Sequence, residues 1–192
     1  MPLYHASNIK GLKEIRPLSK SKDKNCEEKV AYFTTVKTDA LFYIRDMDAN
    51  HVTSDVVEDN IVECHEFFPD HLRTMYQGRS GYIYTCENDC NITMAQKKHI
   101  WSSKVSVVVS EMEYIDDVYE HILREIDIGT VRLISYESLS EETKQEYTIN
   151  VKDFILERNL LTANTAHSRF WAKYFPEAWK MAEAENDSNL VY

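Results

Sequence analysis

Alternating apolar and polar positions open the chain. Leu3-Tyr4-His5-Ala6-Ser7 reads as a short strand, and the β-branched and aromatic run Val30-Ala31-Tyr32-Phe33-Thr34-Thr35 as a second. The polar, lysine-rich stretch from Ser19 to Lys29 reads as the loop between them. A helix is predicted over Thr38–Met47, capped by Thr38, with Ala40, Leu41, Tyr43 and Ile44 on its apolar face. Asp46 to Asp59 is polar and aperiodic, which predicts a turn and irregular chain. Val62 to Tyr76 mixes apolar and charged positions around a break or helix start at Pro69. Gly78-Arg79-Ser80-Gly81 is a turn leading into the alternating strand Tyr82–Cys86.

Trp101 to Val109 reads as one further strand. The clearest helical period runs from Ile115 to Ile128, with Ile115, Val118, Tyr119, Ile122, Leu123 and Ile126 in one stripe. Asp116 and Asp117 suit its N-terminal end, and Gly129 stops it. Val131–Ile134 follows as a strand. Ser138 with Glu141 has the form of a capping box opening a short helix to about Tyr147. Helices are predicted over Val151–Leu161 and Thr165–Glu185, the latter with a new turn at Pro176. Strands and helices mix without a βαβ rhythm, so the class is α+β.

Composition narrows the setting. The chain has 192 residues, 43% of them hydrophobic, enough for one domain with a sizeable core. Its apolar segments are short and interrupted by charge, and Met1-Pro2-Leu3-Tyr4-His5 lacks a basic-then-apolar signal pattern. A cytoplasmic protein with its four cysteines as thiols is therefore expected. A net charge of -10 opposes a nucleic-acid binder, although it leaves room for a basic cleft on an acidic body. Lys20, Lys22, Lys24 and Lys29 offer such a local region, or simply a solvated loop.

Most chemical motifs have plain readings. Cys86 and Cys90 are spaced C-x3-C and Cys64-His65 lies upstream, an irregular set for a zinc site, so no metal is expected. With four glycines in all, the dinucleotide fingerprint and the Walker loop are both absent. The aromatic run Phe170 to Trp179 reads as core rather than as a ligand platform. Glu111, Glu113, Asp116 and Asp117 flank a helix start, where acids complement the macrodipole. What remains is His5 and Tyr32: if their strands pair, the two side chains can face one cleft.

The two strands resemble the opening motifs of the ADP-ribosyltransferase (poly-ADP-ribose polymerase-like) fold. Leu3-Tyr4-His5-Ala6-Ser7 is similar to its first strand. Val30-Ala31-Tyr32-Phe33-Thr34-Thr35, followed by Asp39-Ala40-Leu41, is similar to its second motif. The nearest likeness is to the small rifampicin ADP-ribosyltransferases, which also have a later strand like Gly78-Arg79-Ser80-Gly81-Tyr82-Ile83-Tyr84. The likeness covers roughly residues 1–115; Ile115 to Tyr192 has no counterpart. It implies a split mixed or antiparallel sheet of that type with flanking helices, in a single domain 1–192 whose part 116–192 is a mainly helical extension packed on the core.

The resemblance also implies a ligand and a site. NAD, as substrate, would lie across the split sheet, with His5 on the ribose and Ala6 offering backbone groups to the carboxamide, next to Ser7. Ala6 stands where the family has a glycine. Tyr32 would stack on the nicotinamide, and Tyr43 would line the same pocket. The family's acid belongs near His99-Ile100-Trp101-Ser102-Ser103-Lys104-Val105, which holds no Asp or Glu, and this leaves Glu87 as a displaced candidate. Three readings follow. One is an NAD-dependent ADP-ribosyltransferase acting on a small molecule or macromolecule. Another is a non-catalytic module for a nucleotide or nucleic-acid end. The last is a protein-interaction domain using the C-terminal helices.

Overall fold

The structure, a computed structural model, describes residues 1–20, 28–44, 53–88, 91–95 and 97–189. The first half holds strands β1 (Pro2–Ser7), β2 (Glu14–Ile15), β3 (Ser19–Lys20) and β4 (Lys29–Thr34), helix α1 (Lys37–Leu41), strands β5 (Thr53–Val56) and β6 (Val62–His65), and helix α2 (His71–Tyr76). Then come β7 (Gly81–Glu87), β8 (Ile92–Met94), β9 (Ile100–Ser103), β10 (Val107–Ile115), α3 (Val118–Asp127) and β11 (Val131–Ile134). Helices α4 (Glu141–Glu157), α5 (Ala166–Tyr174) and α6 (Pro176–Asn189) end the described chain. The class is α+β, with a large antiparallel sheet in the order β2-β10-β7-β1-β4-β9-β8, β3 added on β4, and a small sheet β11-β6-β5. Among the described residues no helix is long and apolar enough to cross a membrane.

The chain divides into two compact units. The first comprises Met1–Arg45, Ser54–Cys64 and Leu72–Leu133; the second comprises Asp46–Thr53, His65–His71 and Ile134–Tyr192. In the first unit, strand alternation sorts the side chains of the large sheet onto two faces. Leu3, Ala31, Phe33, Tyr84 and Cys86 gather with Ile15, Ile92 and Val107 in one buried cluster. Ile83 and Ile115 are buried on the opposite face, where the chain after α1 comes so close that a Cβ on Gly81 would lie 2.5 Å from Ile44 Cγ2.

Several predicted boundaries move. The single strand expected over Trp101–Val109 is two, β9 and β10, and β10 runs on to Ile115, which is therefore a strand residue. Helix α3 starts after Asp117, whose carboxylate accepts from Tyr119 N at 2.9 Å and Glu120 N at 3.3 Å. The same side chain accepts from Gly78 N at 2.9 Å, joining the turn before β7 to the helix. Asp117→Ala is accordingly expected to lower stability by about 1–2 kcal/mol, read by urea unfolding. Helix α1 is shorter than predicted and its N-cap is Val36, not Thr38, which instead donates to Glu125 Oε2 at 3.1 Å. Residues 45–47 of that predicted helix lie outside the described residues, as do the central lysines of the 19–29 loop and Cys90 of the C-x3-C pair.

In the second unit the two helices expected on either side of residue 149 form one, α4, capped by Ser140 rather than Ser138. Pro176 does begin a new helix, α6. Most of the aromatic run is core: Phe170, Trp171 and Phe175 are buried, Phe68 stacks on Tyr174 at 4.8 Å, and Tyr174 and Trp179 are half-buried.

Candidate functional site

β1 and β4 pair, but only briefly. Among the described residues their register carries one pair, Tyr4 with Thr34, whereas β1 meets β7 continuously from Pro2↔Glu87 to Ser7↔Tyr82. β9 holds the far edge of β4 from Ala31 to Thr34. The near edge is divided: β1 takes it at Thr34 and β3 takes it at Lys29 and Val30. Tyr32 sits between these two partners.

Main-chain directions follow from the same alternation. Thr35 N donates to His99 O at 2.9 Å, so the odd residues of β4 turn their main-chain groups to β9. Thr34 and Tyr32 turn theirs the other way, toward β1. A continued ladder would bring Ala6 opposite Tyr32. Instead the His5 imidazole takes that carbonyl, with Nδ1 2.9 Å from Tyr32 O. The main-chain N–H and C=O of Ala6, sharing the direction of Tyr4, therefore point into the seam where the ladder has stopped.

The imidazole has a defined state. A carbonyl can only accept, so Nδ1 carries the proton and, in the neutral ring, Nε2 is an acceptor. Burial holds the pKa of His5 below its ordinary value, outweighing the Tyr32 carbonyl, which favours the cation. The ring is half-buried and lies 5.8 Å from that of Phe33. A neutral acceptor at the edge of a strand gap suits a hydroxyl donor.

The expectation that His5 and Tyr32 face one cleft needs correcting. With Tyr4 opposite Thr34, the cross-strand neighbour of His5 is Phe33 and that of Tyr32 is Ala6. The imidazole and the phenol therefore leave their strands on opposite faces, and the imidazole meets the main chain of Tyr32, not its ring. Tyr32 is half-buried on its own face. Ser7 Oγ accepts from Ile9 N at 3.1 Å at the exit of β1. Tyr43 follows α1 in a turn and is 43% exposed.

Glu87 is not brought to His5. It pairs with Pro2 at the far end of β7, three residues along β1, which is about 10 Å. It is exposed, and alternation puts it on the face opposite His5. Its neighbour Cys86 is buried, and burial together with the Glu87 charge pushes its thiol up to about 11, the wrong direction for a nucleophile. Among the described residues no group of three or more His, Cys, Asp or Glu is placed to hold a metal ion.

Two residues that sequence reasoning passed over matter here. Tyr84 lies fully buried beside His5 across the β1/β7 pair; its phenol donates to Ile9 O and accepts from Leu12 N at 3.3 Å, pinning the segment after β1. Asp39, first noticed only as part of a motif, is 1% exposed under the end of β4. Its signal in the sequence is a carboxylate placed directly before the apolar pair Ala40-Leu41. No family model, no curated protein and no solved structure matches this chain.

Proposed function

We propose that this chain binds NAD or another ADP-ribosyl compound along the β1/β4 seam. The observation that carries the reading is the early end of the β1/β4 ladder. His5 replaces a main-chain donor at Tyr32 O, and the N–H and C=O of Ala6 face the opening. A carboxamide offers the complementary acceptor and donor, and a ribose hydroxyl complements the lone pair of His5 Nε2. The resemblance of the two strands to ADP-ribosyltransferases supplies the ligand class, with Ala6 in the carboxamide role and Tyr32 beside it.

Binding is the first reading and transfer of ADP-ribose to an acceptor the second. Transfer builds positive charge on the ribose and benefits from a carboxylate there. Glu87, far along β7, is poorly placed to supply it, which favours the non-catalytic module.

Thermal unfolding with NAD tests the reading. At a hundredfold excess over Kd, NAD should stabilise the protein by about 2.7 kcal/mol. His5→Ala should remove most of that gain, and Glu87→Gln should leave it intact. Nicotinamide release that depends on both His5 and Tyr32 would promote the transfer reading. No shift with NAD or with ADP-ribose would end both.

A further inference from the structure

Asp39 is buried at the corner where β4 turns into α1. Among the described residues its Oδ2 has no hydrogen-bond partner, although Asp39 is 1% exposed. The hydroxyl of Thr34, which also accepts from Val36 N at 3.2 Å, hydrogen-bonds the carboxyl. The charged groups facing it come from two further segments. Lys97 and His99 precede β9, and Asp55 belongs to β5. Lys97 binds Asp55 at 2.6 Å, and His99 Nε2 lies 3.8 Å from Asp55. Elsewhere on α1 itself, Lys37 pairs with Glu113 of β10 at 2.6 Å and Thr38 bonds Glu125 of α3.

An orphaned oxygen in such a place is costly when charged and mild when protonated. We propose that the β4–α1 corner is a proton-controlled latch, in which protonated Asp39 holds α1 against the sheet and the ionised carboxylate releases it. The latch stands on the burial, the unpartnered oxygen and the Lys97–Asp55–His99 network, and it needs no ligand. Because β4 carries Tyr32 and the chain after α1 carries Tyr43, release reaches both flanks of the corner.

The direction of the effect follows from proton linkage. Burial pushes the Asp39 carboxyl above its ordinary value, and the Asp55 charge adds to this. The Thr34 hydrogen bond and the His99 and Lys97 charges oppose it without winning. The closed corner thus holds its proton to higher pH than the open one. Its stability is fully present below the ordinary carboxylate range and is lost as pH rises through the elevated value. Asp55 works in the opposite sense. Partial burial raises it, but Lys97 pulls it below the usual range, so its contribution fades as pH falls.

Amide hydrogen exchange of residues 36–44, followed from pH 4 to pH 8 on the whole chain and corrected for intrinsic exchange, reads the latch. In the native protein the opening constant should climb up to tenfold per pH unit across the window, then level off. Asp39→Asn should flatten the profile and leave the corner more protected at pH 8. Lys97→Met, at an exposed position that does not endanger folding, should move the upper end of the window to higher pH. A rising profile that survives in Asp39→Asn, a flat profile in the native protein, or a Lys97→Met profile superimposed on it would overturn the proposal.

Discussion

Phe33→Ala is expected to destabilise the protein by about 3–5 kcal/mol, measured by denaturant unfolding. The ring is 2% exposed and sits in the buried cluster with Leu3, Ala31, Tyr84 and Cys86, where little can collapse into the void. It is also the cross-strand support of His5, 5.8 Å from the imidazole. The variant should therefore lose NAD affinity as well as stability. A cost below about 1 kcal/mol would mean that this face of the sheet is not the core described above.

Ala6→Pro is expected to weaken NAD binding roughly 10- to 100-fold, since it removes a main-chain donor aimed at the ligand and leaves a buried acceptor unsatisfied. Proline is normally excluded from central strands because it deletes a ladder N–H. At Ala6 that N–H points to the seam rather than to β7, so the β1/β7 ladder should survive. His5→Pro removes an N–H on the β7 side and should be much more destabilising. Isothermal titration with NAD, alongside the melting temperatures of both variants, separates these effects. Equal damage to stability from the two prolines would show that Ala6 is an ordinary ladder residue.

The elements of the site were readable because they are local. Leu3–Ser7, Val30–Thr34 and Tyr82–Cys86 alternate and carry β-branched or aromatic residues, and each is a strand. Asp117 sat at the helix start that its carboxylate then caps. Short strands such as Glu14–Ile15, Ser19–Lys20 and Ile92–Met94 have no period to read, and pairing alone creates them. The six-residue span 110–115 carries three exposed polar or acidic positions, Ser110, Glu111 and Glu113, and two exposed aromatic or sulfur side chains, Met112 and Tyr114. It resembled a loop and helix start until β7 provided a partner, with a register shift between Val109 and Glu111.

Register was the decisive quantity hidden from the sequence. A slip of one residue between two strands exchanges their faces. His5 and Tyr32 lie in two recognisable strands, yet only the Tyr4↔Thr34 pair reveals that His5 belongs with Phe33. Glu87 had the same difficulty in another form: its strand was correct, but antiparallel pairing carried its end to Pro2 instead of His5. Asp39 was hidden because burial is a property of the corner and not of the five-residue helix that holds it.

A crystal structure of the protein grown with NAD is the most direct test of the β1/β4 seam. Ligand density is expected between β1 and β4, with the carboxamide hydrogen-bonded to the N–H and C=O of Ala6 and a ribose hydroxyl on His5 Nε2. Bound NAD elsewhere on the chain, with Ala6 paired to Tyr32 in a closed ladder, would contradict it.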